Sequence, residues 1–128
     1  MTDKDFTKHK KRIQLVLDKW VPILGLDADR LRFKFIREYH TIKEVVAQCF
    51  PLWQYRAHTV EFYMPSVAEV DDAELEEDVL HELCHIIIAP ATGNEAPQDK
   101  HQTEKHELAT QNVAFALIDA FKEGKKSV

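Results

Sequence analysis

Residues 69–89 read "EVDDAELEEDVLHELCHIIIA", and the organisation of the whole chain turns on how this stretch folds. Asp71 or Asp72 is a good N-cap, and the acids of the first turns suit the positive end of a helix dipole. With about 100° between successive residues, Leu75, Val79, Leu83 and Ile86 fall in one narrow arc, so the segment is a helix with a core-facing stripe. His81 and His85 lie nearly opposite that stripe. Four residues apart, their imidazoles share a face and can reach one ion about 2.0–2.1 Å away, the zinc–nitrogen distance. Glu82, one step around the helix, is too displaced to join them as a ligand but is placed to take a proton from water at the metal. The pattern H-E-x-x-H divides the labour in this way, which makes Zn2+ the expected cofactor and Glu82 the expected general base.

Catalytic zinc takes three protein ligands and leaves one position open, so a third donor is required. The residues after His85, "IIIAPATGNEA", hold no His or Gly where an extended H-E-x-x-H-x-x-G-x-x-H motif needs them. The donor is therefore expected on the final helix, "HQTEKHELATQNVAFALIDAFKEG" (101–124), whose first turns offer His101, Glu104, His106 and Glu107. A helical wheel places His106 in the middle of an apolar face set by Val113, Leu117 and Ala120, and Glu107 toward its edge near Ala114 and Ile118. The wheel leaves the choice open.

The remaining segments supply the framework. Phe6, Ile13, Val16, Leu17 and Trp20 recur at helical spacing over 5–20, and Pro22 and Gly25 punctuate the end. "RLRFKFIREY" (30–39) alternates as a half-buried strand, "EVVAQCF" (44–50) can form a second that Pro51 ends or bends, and "AHTVEFYMP" (57–65) a third closed by Pro65. "PATGNEAPQDK" (90–100) is a loop. The expected fold is one α+β domain over residues 1–128: an N-terminal helix, a small mostly antiparallel sheet of about three strands, the H-E-x-x-H helix and a ligand-bearing C-terminal helix. Thr59–Met64, just ahead of the H-E-x-x-H helix, is the strand expected to lie at a sheet edge and pair with extended substrate. His40 and His58 are expected to be ordinary surface or strand residues, and Cys84 a small buried hydrophobe.

Composition narrows the class. Hydrophobic residues make up 45% and charged ones 30% of the 128, as in an ordinary globular protein. Net charge is −5 and the pI about 5.8, so no global field draws the chain to nucleic acid, and the one basic cluster, "KHKKR" at 8–12, reads as a solvated helix face. No stretch has the length of a membrane span or of a secretory leader. Two cysteines, Cys49 and Cys84, make no framework, so reduced thiols in a cytoplasm are expected.

In its motifs the chain resembles the small single-domain gluzincin-type H-E-x-x-H metallopeptidases of bacteria and their phages. The likeness rests on "LGLDADRLRFKF", on "WQYRAHTVEFYMPSVAEVDDAELEEDVLHELCH" and on "EKHELATQNVAFAL", and spans about residues 20–122. It implies a zincin-like fold, zinc held by His81, His85 and Glu107, with Glu82 as base, and a peptide or protein substrate. A departure accompanies it: Gln111 stands where the family has a carboxylate four residues beyond the glutamate ligand. No tyrosine or histidine among Tyr39, Tyr55, Tyr63, His101 and His106 is singled out as an oxyanion donor. A domain of this size lacks an obvious lid or second lobe, which leaves open a partner protein, a second copy or a narrow natural target as the source of substrate selection. Two rival readings stand beside the peptidase: a metal that only ties two helices together, and a DNA- or partner-binding module using the basic "KHKKR" helix.

Overall fold

The computed structural model describes the backbone of residues 1–92 and 100–126, with side chains for 1–90 and 107–122. Helix α1 spans Asp3–Ile23, capped by Thr2, whose hydroxyl accepts from the Asp5 amide at 3.1 Å. Its last turn carries Pro22 without ending there, and the chain reverses at Gly25, which sits at φ +71°, a conformation open to glycine at no steric cost. Strands β1 (Arg30–Ile36), β2 (Ala47–Leu52) and β3 (Ala57–Tyr63) follow. A single helical turn, α2 (Met64–Val67), leads into α3 (Asp72–Thr92), and α4 (Lys100–Lys126) closes the chain.

The sheet order is β1-β3-β2, with β1 parallel and β2 antiparallel to β3. The sheet is therefore mixed, which corrects the expectation of a mostly antiparallel one. The cause is the segment 37–46, which carries the chain past the end of β3 so that β2 docks on the far side. A second correction follows. β3 is the central strand, paired on both sides, so Thr59–Met64 offers no free edge; β2 does. Pro51 lies inside β2, opposite His58, and an edge strand tolerates the missing N–H that an interior one would not.

One face of the sheet is apolar. Phe33 and Phe35 of β1, Ala47 and Cys49 of β2, and Val60 and Phe62 of β3 join a core with Ile13, Leu17 and Trp20 of α1 and Leu75, Val79, Leu83 and Ile86 of α3. Phe35 stacks on Phe62 at 5.6 Å and meets Phe6 edge-on at 6.5 Å, while Trp20 packs on Phe121 of α4 at 5.6 Å. Fully burying each such side chain contributes about 1.5–3 kcal/mol. The stripe predicted for α3 is the one that is buried. The face predicted for α4 is turned: Leu117 packs on the core, but Val113 and Ala120 are exposed, and Thr110, Ala114 and Ile118 are the buried positions. That rotation turns Glu107 and Gln111, not the Val113 side, toward α3.

Two polar anchors lock the frame. Arg12 reaches from α1 to the Val67 and Val70 carbonyls (3.1 and 2.7 Å) and to Asp72 (2.7 Å), holding the turn that launches α3. At the other end of the sheet His58 is a strand residue of β3, as expected, and it is buried. Its Nδ1 accepts from the Leu52 amide at 3.2 Å, so Nε2 carries the proton and donates to Asp29 at 2.7 Å, which Arg56 also grips at 2.8 Å. No helix among the described residues is long and apolar enough to cross a membrane.

Candidate metal centre

Asp71 caps α3 through the Glu74 amide at 2.8 Å, and the helix then runs unbroken through the motif and past Pro90 to Thr92. Because its Leu75–Leu83 face is buried against α1 and the sheet, His81 and His85 point away from that face toward α4. The two rings meet edge to face at 4.9 Å between centroids. Glu107, on the first described side-chain turn of α4, closes the group. Its Oε2 lies 2.8 Å from His81 Nε2 and its Oε1 3.3 Å from His85 Nε2.

These separations test whether the donor set fits a metal. Two ligands bound about 2.0–2.1 Å from one tetrahedral ion lie about 3.3 Å apart. One carboxylate facing two Nε2 atoms at 2.8 and 3.3 Å is close to that spacing, so a small outward motion of Glu107 from His81 would admit the ion. Without a metal the carboxylate binds the rings directly. Its hydrogen bonds to His81 and His85 hold it well below the usual carboxylate range. Burial opposes charge on His81, but Glu107, Glu82 and Gln111 outweigh it and raise its pKa.

The tautomer of His81 suits the same purpose. Gln111 Oε1, an acceptor, lies 2.6 Å from Nδ1, which therefore carries a proton; Nε2 donates to Glu107 here and is the nitrogen that would give up its proton to coordinate an ion. Behind His85, the buried Thr110 hydroxyl lies 3.5 Å from Nδ1.

Glu82 joins His81 and His85 in one compact group whose ligand atoms all lie within 4.8 Å of one another. Its carboxylate accepts from the Cys49 amide of β2, which fixes it between the helix and the sheet edge. Burial pushes its pKa up to about 7, against the lowering pull of both histidines. A carboxyl poised near neutrality can take and release a proton, which a solvated glutamate does poorly. Cys84 is fully buried and burial pushes its thiol up to about 11, as befits a packing residue.

The structure thus brings His81, Glu82, His85 and Glu107 together. The alternative ligands Glu104, His106 and His101 fall outside the described side chains. Of the tyrosines, Tyr39 bonds Glu69, Tyr63 donates to Glu61 at 3.0 Å, and Tyr55 is exposed at the β2–β3 turn. Sequence reasoning missed the Cys49 amide, since a backbone donor leaves no residue-type signal. It also missed Asp78 and Glu44, which line a cleft of about 230 Å³ with Val45, Val46, Ala47 and Gln111, opening onto His81 and Glu82. Asp78 was hidden among the acids of the first turns of α3, where the helix dipole alone accounted for them.

No family model, curated protein sequence or solved structure matches the chain.

Proposed function

We propose that the chain is a zinc-dependent hydrolase with a zincin-like site, cleaving peptide bonds. The observation that carries this reading is the position of Glu107, whose two oxygens bridge His81 Nε2 and His85 Nε2 while Glu82 stands beside them as a separate, near-neutral carboxyl. A structural zinc site is usually closed and mostly built from cysteines. Here there are two imidazoles, one carboxylate and an adjoining cleft.

His81, His85 and Glu107 would hold the metal. Zinc supplies Lewis acidity for a carbonyl and makes a water acidic enough to lose its proton near neutral pH. The chain's own residues do the rest. Glu82 receives the proton of the attacking water and delivers it to the amine that leaves, so the group ends the cycle as it began. The Cys49 amide steadies Glu82 in its charged form, and Gln111 keeps the His81 ring turned for ligation. Strand β2 has a free edge beside this helix, and its backbone groups can pair with an extended peptide.

Two variants test the reading with separate outcomes. Glu82→Gln should retain zinc at the wild-type ratio and lose on the order of 10²–10⁴ in peptide hydrolysis. Glu107→Ala should lose zinc by elemental analysis. Equal zinc content in Glu107→Ala would sink the ligand set; equal hydrolysis in Glu82→Gln would leave the metal as a mere tie between α3 and α4.

A further inference from the structure

The cleft beside His81 and Glu82 has an unusual electrostatic character. Asp78 sits one turn before Glu82 on α3, and Glu44 approaches from the segment that enters β2, so three carboxylates converge on one cavity of about 230 Å³. Its remaining walls are Val45, Val46 and Ala47, which supply apolar surface, and the neutral amide of Gln111. No lysine or arginine among the described side chains pairs with Glu44 or Asp78, whereas Asp29 is paired with Arg56 and Glu76 with Lys19. Burial and the neighbouring Glu74 push the Asp78 carboxyl up to about 6, against an opposing pull from His81.

The charge distribution along the chain reinforces this. Residues 1–43 hold eleven Lys and Arg against six Asp and Glu, whereas residues 44–128 hold six against sixteen. The cleft is cut entirely into the acidic part. A mostly polar cavity with carboxylates at its rim and a short apolar strip at Val45 and Val46 suits an alkyl stem that ends in a cation, whose methylenes lie on that strip while the head reaches the acids.

We propose that Asp78 and Glu44 are specificity-determining residues that select peptides carrying a lysine or arginine beside the bond to be cut, with that side chain seated in the cleft. The position of the bond rests on the hydrolase reading above; the recognition of a cationic side chain does not. A peptide's own amino terminus presents the same chemistry, so the substrates must separate the two sources.

The test uses zinc-loaded protein and quenched fluorescent peptides that are acetylated at the amino terminus and differ at one internal residue: lysine, arginine, norleucine or glutamate. Wild type should cleave the lysine and arginine peptides with kcat/KM about tenfold or more above norleucine, the preference fading as salt is raised. The lysine-to-norleucine ratio should fall toward one in Asp78→Asn and in Glu44→Gln, with zinc content unchanged. Equal cleavage of lysine and norleucine peptides by wild type would overturn the proposal while leaving the hydrolase intact. A preference that appears only with unacetylated peptides would also overturn it, assigning the cleft to a terminal amine. If nothing is cleaved, the hydrolase reading fails, and fluorescence anisotropy with the chelator-stripped protein still decides recognition. Binding of the lysine peptide about tenfold tighter than norleucine, abolished in Asp78→Asn, would uphold the cleft's selectivity, and equal binding would end it.

Discussion

Gln111 illustrates how much a single side chain decides here. A carboxylate at this place would draw the His81 proton more strongly and make the ring a more basic ligand; the neutral amide orients the ring at 2.6 Å with a weaker pull. Gln111→Ala should therefore weaken zinc binding about 10–100-fold, measured by competition with a chromophoric chelator, while Gln111→Glu should bind at least as tightly as wild type. Asp29 sets a pH-dependent part of stability. Burial pushes its carboxyl up, but the hydrogen bonds from His58 and Arg56 prevail and hold it below the ordinary value. A folded-state value below the unfolded one means stability that is present above about pH 4 and is lost as pH falls further. Asp29→Asn should cost about 1–3 kcal/mol at pH 7 in denaturant unfolding, and the gap to wild type should close toward pH 3.

At the scale of elements, the centre depends on the register between α3 and α4 and on the start of α3. Arg12 governs the latter, since one guanidinium satisfies two carbonyls of the α2–α3 turn and the Asp72 carboxylate together. A lysine has one ammonium and cannot serve three acceptors in a plane. Arg12→Lys should lower stability by about 1–2 kcal/mol, read as a shift in the urea midpoint with an unchanged slope, so that the two residues are not interchangeable here. β2 bears on the site through its backbone. Its Cys49 amide holds Glu82, and its entry segment forms one wall of the acidic cleft.

For the whole molecule, the ligands on α3 and α4 lie in separate elements joined through the segment 93–99, so a bound ion would link them at a point where Thr110, Ala114 and Ile118 already pack. Binding to the folded chain alone stabilises it by RT ln(1 + [L]/Kd), about 4 kcal/mol at a thousandfold excess over Kd. Saturating zinc should raise the melting temperature by several degrees, chelator should reverse the shift, and Glu107→Ala should abolish it. Calorimetry checks all three.

Much of this was legible in residue order. The 3.6-residue period of Leu75, Val79, Leu83 and Ile86 determined which face of α3 is buried, and from that the placing of His81, Glu82 and His85, because spacing within one helix is local geometry. Strand positions were legible for the same reason, since alternation in 30–39 and 57–65 needs no knowledge of the partner strand. What joined those pieces was not local. The mixed sheet, with β3 at its centre, depends on where the segment 37–46 carries the chain. The rotation of α4 depends on packing against α3 and Trp20, which overrode the apolar wheel and put Glu107 rather than Val113 toward the histidines. The cleft of Glu44 and Asp78 exists only because residues 34 positions apart meet there. Sequence alone settled the pair of imidazoles, through the pitch of a helix; the tertiary structure alone settled what faces them, because only packing brings distant residues into one cavity.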